Sequence, residues 1–544
     1  MKKLLSLVLA LCLLCSVASA AELQLKVLNP DLYPVSEEGA ELTVWSRQLA
    51  SVEDFETNLE TLALEELTGV HINWVLANHS EIDTKFNLSI ASGDYPDIYL
   101  AYFNRGDIPT YAEEGILIPL NDLLDDTYWL SKYMEDDPLI EKCITAPDGN
   151  IYTIWHYSVY SPDDEHTYNG VMNKLWVFKP WLEKSGMDMP ETLDDLVELL
   201  RYFRDNDMNG NGDATDEIPM LGSYQYDHQG SDPTYAIMNC FQLMTADFLM
   251  AEEGEVYCVA TTDEFREGLK FLNGLYNEGL LAEEIYSLDL NQYRAVVNVT
   301  KQEDMVVGVT AAPMWMRFVT QSIYTDAYDD FTFIPPLKRD ENTPAQTVLG
   351  ETSIGSYGAI TTACEDPELA MAWLDAISDP EIHMTSIYGI EGEHWTRHTA
   401  EGEWPITYEK TDVSLYGAGS TQNIVWEGWS QTQPPLSYLN AYMEEGSTAW
   451  KHDTIMWEAN AAYIAAGVRT GFPAVVWSND ADLSTEKAEL ASVMDSAIST
   501  AFSEFILGRK DVNDDAVWEE YKANLDALGL QRYIEVVELI NFGE

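Results

Sequence analysis

Between Asp205 and Glu217 the chain runs Asp-Asn-Asp-Met-Asn-Gly-Asn-Gly-Asp-Ala-Thr-Asp-Glu. Oxygen-bearing side chains alternate there around two glycines. Calcium takes about six to eight oxygen ligands, and a glycine lets the chain turn sharply around the ion. Two registers fit. In one, Asp205, Asp207, Asn209, Asp213 and Asp216 take positions 1, 3, 5, 9 and 12 of an EF-hand-like loop, with Gly210 at position 6. In the other, Asp207, Asn209 and Asn211 lead, a backbone carbonyl near Asp213 follows, and Asp216 or Glu217 closes. A plain acidic turn would read the same way. No reacting group lies in the motif, so a calcium ion here would be structural.

Other reactive patterns are scarce. The chain has no G-x-S-x-G, no H-E-x-x-H and no phosphate-cradling glycine loop. A glycoside hydrolase needs two carboxylates across a sugar site. With 93 acidic residues such a pair can always be drawn, so it signals nothing. Cys143, Cys240, Cys258 and Cys364 are too irregularly spaced for a disulfide scaffold or a zinc site. A Cys240–Cys258 bridge and buried free thiols both fit.

The elements that must position such groups follow from periodicity. Leu42–Trp45 reads as a strand, 52–67 as a helix, Val70–Val75 as a strand, 81–92 as a helix and Asp97–Leu100 as a buried strand. This alternation predicts a mostly parallel sheet with helices on its faces. Further on, Gly170–Phe178 is extended, and Thr192–Phe203 is a helix with an N-cap Thr and an acidic first turn. Asp263–Glu278 and Pro367–Ser378 read as helices, Met305–Thr310 and Phe331–Ile334 as strands, and 485–540 as helix-rich. No linker cleanly separates two domains, which predicts lobes joined by several chain crossings.

The chain has 544 residues, 46% hydrophobic and 22% charged, enough for two well-buried lobes. Its 29 basic residues against 93 acidic give a net charge of −64. That field repels nucleic acid and anionic lipid surfaces, and it favours a soluble monomer. Lys2 and Lys3, the apolar run Leu4–Val17 and Ala18-Ser19-Ala20 read as a secretory signal peptide, residues 1–20, cleaved after Ala20. The run is too short to span a bilayer. Cys12 and Cys15 each follow a leucine instead of the small residue a lipid anchor requires. Free secretion is therefore favoured over anchoring at Cys15, with the mature chain secreted or on the outer face of the cell membrane.

The segments LTVW…LEELTGVHINWV…IASGDYPDIYL, APDGNIYTIW, LWVFKPWLEKSGMDMPETLDDL and YGIEGEHW and the tail FILGRKDVNDDAVWEEYKANLDALGLQRYIEVVE resemble family 1 extracellular solute-binding proteins of ABC transporters, in the large oligosaccharide-binding branch that includes alginate-binding lipoproteins. The likeness covers Leu42 to Glu544. It implies an α/β, two-lobed periplasmic-binding-protein-like fold of type II, with a ligand cleft between lobes joined by hinge crossings. Residues 40–155 and 335–385 would form one lobe, and 156–334 and 386–544 the other with the C-terminal helices. The resemblance implies a binding protein without catalysis that hands an oligosaccharide to importer permease subunits, and it favours the second calcium register. In this chain an extra residue precedes the Asp216-Glu217 pair.

Sugars present apolar C–H faces and many hydroxyls, so aromatic rings and polar groups past strand ends are the candidates. Trp45, Ser46 and Arg47 follow the first strand, and Tyr102, Asn104 and Arg105 the third. Trp155, His156 and Tyr157 fall at the expected crossing, and Trp315 and Arg317 follow Met305–Thr310. Glu391, His394 and Trp395 belong to YGIEGEHW, with His394 read as a local hydrogen-bonding residue. Trp426 and Trp429 lie in an expected loop. The rival readings are a ligand sensor or adhesive surface protein on the same fold, and a secreted glycoside-active enzyme.

Overall fold

The computed structural model describes residues 23–543 except 38, 49–51, 79–80, 159–170, 172, 225–229, 246, 298, 300, 314–329, 350–352, 401, 411–422, 427–437, 443, 447, 473–476 and 478–479. The signal segment with Cys15, and Trp315, Arg317 and Trp429, lie outside the described residues. The described residues divide into two compact units. Unit 1 takes those of Met1–Asn104, Tyr111–Tyr157 and Gly355–Tyr442. Unit 2 takes those of Arg105–Thr110, Ser158–Ile354 and Met443–Glu544.

In chain order, the elements used below are β1 (Ala40–Gln48), α1 (Leu59–Thr68), β2 (Val70–Asn78), α2 (Ile82–Ser92), β3 (Ile98–Phe103), β4 (Ile154–Ser158), β5 (Leu175–Phe178), α3 (Leu193–Asp205), β6 (Ile218–Met220), α4 (Pro233–Met238), α5 (Asp263–Asn277), β7 (Val307–Ala311), β8 (Phe331–Ile334), β9 (Ser353–Ile360), α6 (Pro367–Ala376), α7 (Pro380–Tyr388), β10 (Trp395–Arg397), β11 (Ile406–Lys410), β12 (Leu439–Ala441), α8 (Ala481–Ile506), α9 (Asp515–Ala527) and α10 (Leu530–Phe542).

Unit 1 is built on a sheet ordered β2-β1-β3-β9-β4. β1 pairs in parallel with β2 and β3, as the strand–helix rhythm requires, but β9 returns antiparallel to β3. α1 starts at Leu59, later than its apolar spacing suggests. Asn58 Oδ1 accepts the N–H groups of Glu60 and Thr61, and Asp54 Oδ1 accepts that of Glu56, so a capped turn replaces the expected first helical turns. A small sheet, β10-β11-β12, completes the unit around Met384, Trp395, Ile406 and Tyr408.

Unit 2 carries the sheet β8-β5-β7-β6. It is mixed instead of mostly parallel: β5 is antiparallel to both neighbours, and only β6 and β7 run together. α3 shows how sequence dictates an element here. Thr192 Oγ1 accepts the Asp195 N–H while Asp195 Oδ2 accepts the Thr192 N–H, a capping box. Leu193, Leu196, Leu200 and Phe203 then fall on one buried stripe. That stripe joins one core with Leu269 and Leu272 of α5, Phe502 and Phe505 of α8 and Trp518 of α9.

The division departs from the lobe limits read from sequence. Residues 386–442 belong to unit 1, where Asn423 and Trp426 bond to the segment around α1. Residues 335–354 belong to unit 2, where Lys338 N–H donates to Glu191 O and Gln346 Nε2 to Asn239 O. The Cys240–Cys258 bridge does not form. All four described cysteines are free and buried, and Cys240 Sγ–H donates to Leu337 O instead. Burial pushes both thiols up to about 12.

Candidate functional site

At the carboxyl end of β3, Tyr102 pairs in register with Tyr357 of β9. Their rings stand 5.1 Å apart at 70°. His156 of β4 closes the row, 5.0 Å from Tyr102 and 5.7 Å from Tyr357. Edge-to-face geometry of this kind holds each ring in place. Tyr357 and His156 are buried, while Tyr102 is 41% exposed and offers a ring surface to solvent. The row depends on a bulge. The β3–β9 register shifts between Tyr357 and Ala359, and Gly358 sits at φ +55. A Cβ there would lie 2.7 Å from Ile154 Cγ1, so glycine alone allows β9 to bend at this point.

Arg47, at the end of β1, is the cation whose field bears on His156 and Tyr357. Burial, with Arg47 second, pulls the His156 imidazole down to about 3. His383 of α7, buried in turn, is held at about 3 by burial and then by His156. Both rings are therefore neutral at physiological pH. The buried hydroxyls of Ser46 (β1) and Ser356 (β9) have no partner among the described residues. Such groups are satisfied by water or by a ligand. The exposed Tyr102 ring, held by buried neighbours near the Arg47 guanidinium, suits a polyhydroxylated, apolar-faced molecule.

Of the sequence candidates, this row unites Tyr102, His156 and Arg47, with Asn104 exposed just beyond β3. Tyr157 has its backbone in β4, and its side chain is outside the described residues. Others are packing residues. Trp45 is buried against Phe86 of α2 and Tyr99, and Trp155 is wholly buried. Trp395 is buried, with Nε1–H donating to Gly389 O. Trp426 is buried with Phe55 and Trp74. Glu391 is an ion-pair partner of Arg397 and Lys26. His394 Nδ1 accepts the Ile390 N–H, the local role expected of it. The four tryptophans turn into apolar packing, while Glu391 and His394 are held by local polar partners. Tyr357 and His383 were missed. The only sequence signal for Tyr357 is a lone ring among small residues in Gly355-Ser356-Tyr357-Gly358-Ala359.

In unit 2, the residues of both expected calcium registers lie at the end of α3 and in the loop after it. Asp205 is drawn away by Arg204, whose Nε and Nη2 donate to its carboxylate at 2.7 and 2.9 Å. From Asp207 onward the side chains instead fold the loop. Asp207 accepts the N–H groups of Gly210 and Gly212, Asn209 Oδ1 that of Asn211, and Asn211 Oδ1 that of Asp213. Glu217 Oε1 accepts the Met208 N–H at 2.6 Å, which closes the loop on its start. Asp216 Oδ1 and Glu217 Oε2 are buried with no hydrogen-bond partner. Asn209 and Asn211 donate Nδ2–H to Asp216 Oδ2, so the two orphaned carboxylate oxygens are the groups open to a hard cation. Among the described residues no group of three or more His, Cys, Asp or Glu side chains is gathered for a metal, so the amide oxygens would have to complete any shell.

Unit 2 also holds a buried polar cluster past β6. Asp232 is fully buried, its Oδ1 accepting Thr234 N–H and Oγ1–H at 2.8 and 2.7 Å, its Oδ2 unpartnered. Tyr224, Tyr235 and Tyr286 face it. A groove of about 1160 Å³ lies between α8 and α9, lined by Ser496, Thr500, Val517 and Tyr521 among others. It is a seam between helices without converging rings, so the Tyr102 row is the better candidate site.

A family model described as bacterial extracellular solute-binding protein matches residues 50–384. The chain is 27% identical to the fructooligosaccharide ABC transporter substrate-binding protein FusA of Streptococcus pneumoniae, over 97% of this chain and 94% of that protein. It is 19% identical to the polygalacturonan/rhamnogalacturonan-binding protein YtcQ of Bacillus subtilis, over 61% and 63%. A structure of FusA with kestose superposes with a TM-score of 0.75 at 24% identity, covering 92% of this chain and 98% of that one. Alginate-binding protein AlgQ2 without calcium ion superposes with a TM-score of 0.65 at 19% identity, covering 93% and 98%. These likenesses bear out the α/β solute-binding-protein fold expected from sequence.

Proposed function

Because the chain belongs to the family of bacterial extracellular solute-binding proteins, we propose that it is the substrate-binding component of an ABC importer and captures an oligosaccharide. The observation that carries this reading is the Tyr102–Tyr357–His156 row beside Arg47, in a chain similar to FusA over nearly its whole length. Tyr102 would stack on a sugar C–H face, and Arg47 would bond hydroxyls. The protein binds and releases its sugar unchanged, works as a monomer, and hands the sugar to membrane permease subunits at the outer face of the cell. No helix among the described residues is long and apolar enough to cross a membrane. The relatives are named for neutral and for acidic glycans alike.

The loop 207–217 is read as a structural calcium site. Asp207, Asn209, Asn211, a carbonyl near Asp213, Asp216 and Glu217 would hold the ion. Bound there, calcium would neutralise the crowded carboxylates and brace the loop between α3 and β6. An EF-hand mutant of FusA was captured in complex with fructo-nystose, which supports a bracing role.

A thermal-shift screen of the protein against kestose and a panel of other oligosaccharides tests the main reading, with chromatography of the sugar afterwards. A sugar that binds only the folded state raises Tm, by about 2.7 kcal/mol of stabilisation at a hundredfold excess over Kd. We expect such a shift with the sugar recovered intact. A folded protein that responds to no oligosaccharide, or that cleaves one, would overturn the reading.

A further inference from the structure

Resting on the calcium reading of the loop 207–217, we infer that Lys184 is a positioning residue for that ion: it sets the peptide planes that aim Glu217, and so forms the loop before calcium arrives. Lys184 lies in the last turn of the short helix Lys179–Ser185. Its Nζ donates to Asp207 O at 2.7 Å and to Met208 O at 3.1 Å. A trans peptide points its C=O and its N–H in opposite directions. The N–H groups of those same two peptides belong to Met208 and Asn209. Both donate to one oxygen, Glu217 Oε1, at 2.6 and 3.4 Å. Two successive peptide planes are therefore held from both sides, by an ammonium outside the loop and a carboxylate within it. The grip on Oε1 leaves Glu217 Oε2 buried and without a hydrogen-bond partner, open to a cation.

The helix that carries Lys184 is fixed relative to the loop. Trp181, one turn earlier, is buried with its ring 5.4 Å from that of Phe203 on α3, at 71°. α3 in turn leads directly into the loop. A cation in this place has a second conceivable effect, which acts through space: a positive charge near a calcium ion repels it, so Lys184 would weaken binding. The geometry favours positioning, because Nζ meets two backbone carbonyls that face away from Glu217. Without Lys184 both carbonyls lose a donor, the planes from 207 to 209 are free to turn, and Glu217 loses the paired N–H groups that orient it. The two effects have opposite signs, and Lys184 is exposed, so its substitution leaves the core of unit 2 in place.

Calcium titration calorimetry on the chelator-stripped protein tests the inference, with hydrogen exchange of the Met208 amide followed in chelator. Lys184→Met should weaken calcium binding by about tenfold and speed Met208 exchange by about tenfold. Lys184→Arg keeps donors for both carbonyls and should restore most of the affinity. Lys179→Met removes a charge from the same helix, but Lys179 pairs with Glu183, so calcium affinity should change less than about twofold. Unchanged or tighter calcium binding in Lys184→Met would overturn the positioning role and leave the calcium reading standing. A parent protein that circular dichroism shows folded, and that takes up no calcium, would overturn both.

Discussion

Glu60 Oε2 accepts the backbone N–H of Trp426 at 2.8 Å, although 366 positions separate them in the chain. The Ser386 hydroxyl donates to the other carboxylate oxygen, and Trp426 Nε1–H donates to Thr61 Oγ1 at 2.8 Å. Glu60 is wholly buried, so this carboxylate staples the segment around Trp426 and α7 to the start of α1. Glu60→Ala strands the Trp426 N–H and should cost about 3 kcal/mol in chemical denaturation. Trp426→Phe loses one hydrogen bond and some packing and should cost about 1–2 kcal/mol. Neither variant should change oligosaccharide Kd by more than about twofold while folded. A specific loss of affinity in Trp426→Phe would return this tryptophan to the binding surface.

Calcium should raise Tm and a chelator should lower it, because the ion would fill a loop whose Asp216 and Glu217 each leave an oxygen unpartnered. Asp207→Ala should abolish the calcium response and lower stability by about 2 kcal/mol, since Asp207 also holds the Gly210 and Gly212 N–H groups. Asp205→Ala should leave the response intact, because Arg204 holds that carboxylate outside the loop. If Asp205→Ala alone removed the calcium shift, the register would be the other one.

Tyr102→Ala should weaken sugar binding by about ten- to a hundredfold, the loss of a stacking ring worth about 1–3 kcal/mol. Its ring is 41% exposed, so thermal stability of the sugar-free protein should move little. Tyr102→Phe keeps the ring and should keep most of the affinity. Calorimetry on the two variants separates stacking from hydrogen bonding: equal losses in both would assign the effect to the hydroxyl.

The helices and the first three strands were legible because local signals fix them: the Thr192 cap with its buried stripe, and the period-two run after Gly69. The start of α1 was not, because side chains of Asp54 and Asn58 outcompete helical hydrogen bonds there. The site divides along the same line. Tyr102 and Arg47 follow strands recognisable from sequence, and strand ends are where open sheets bind. Tyr357 enters by a strand that arrives antiparallel from 250 residues downstream, and its aim depends on a bulge at Gly358. The buried tryptophans could not be separated from binding rings in advance, since burial at Trp45, Trp395 and Trp426 is decided by which helix or sheet covers each one. The calcium reading comes from the alternation of oxygen-bearing side chains over consecutive positions, and its register from the family resemblance.

Asp232 should make the protein less stable as pH rises from about 4 to about 7. Burial pushes its carboxyl from the ordinary 3.8 up to about 7, against the donors of Thr234. In that window the unfolded chain has released the proton and the folded chain still holds it, so unfolding is favoured progressively, and the loss is complete above the folded value. The facing groups, Tyr224, Tyr235 and Tyr286, stay protonated throughout, while Asp495, acting on the first two, adds negative charge. His156 and His383 work in the opposite sense. Held down at about 3, they cost stability as pH falls below their ordinary 6.5. Comparing Asp232→Asn with the parent at each pH cancels the histidines. Asparagine keeps an Oδ1 acceptor for Thr234 and carries no charge, so the variant should exceed the parent at pH about 8 by up to roughly 4 kcal/mol, with the gap closing toward pH about 4. Urea denaturation at both ends measures it. A gap that is the same at both ends would mean that Asp232 ionises without penalty and that a bound water or cation already satisfies Oδ2.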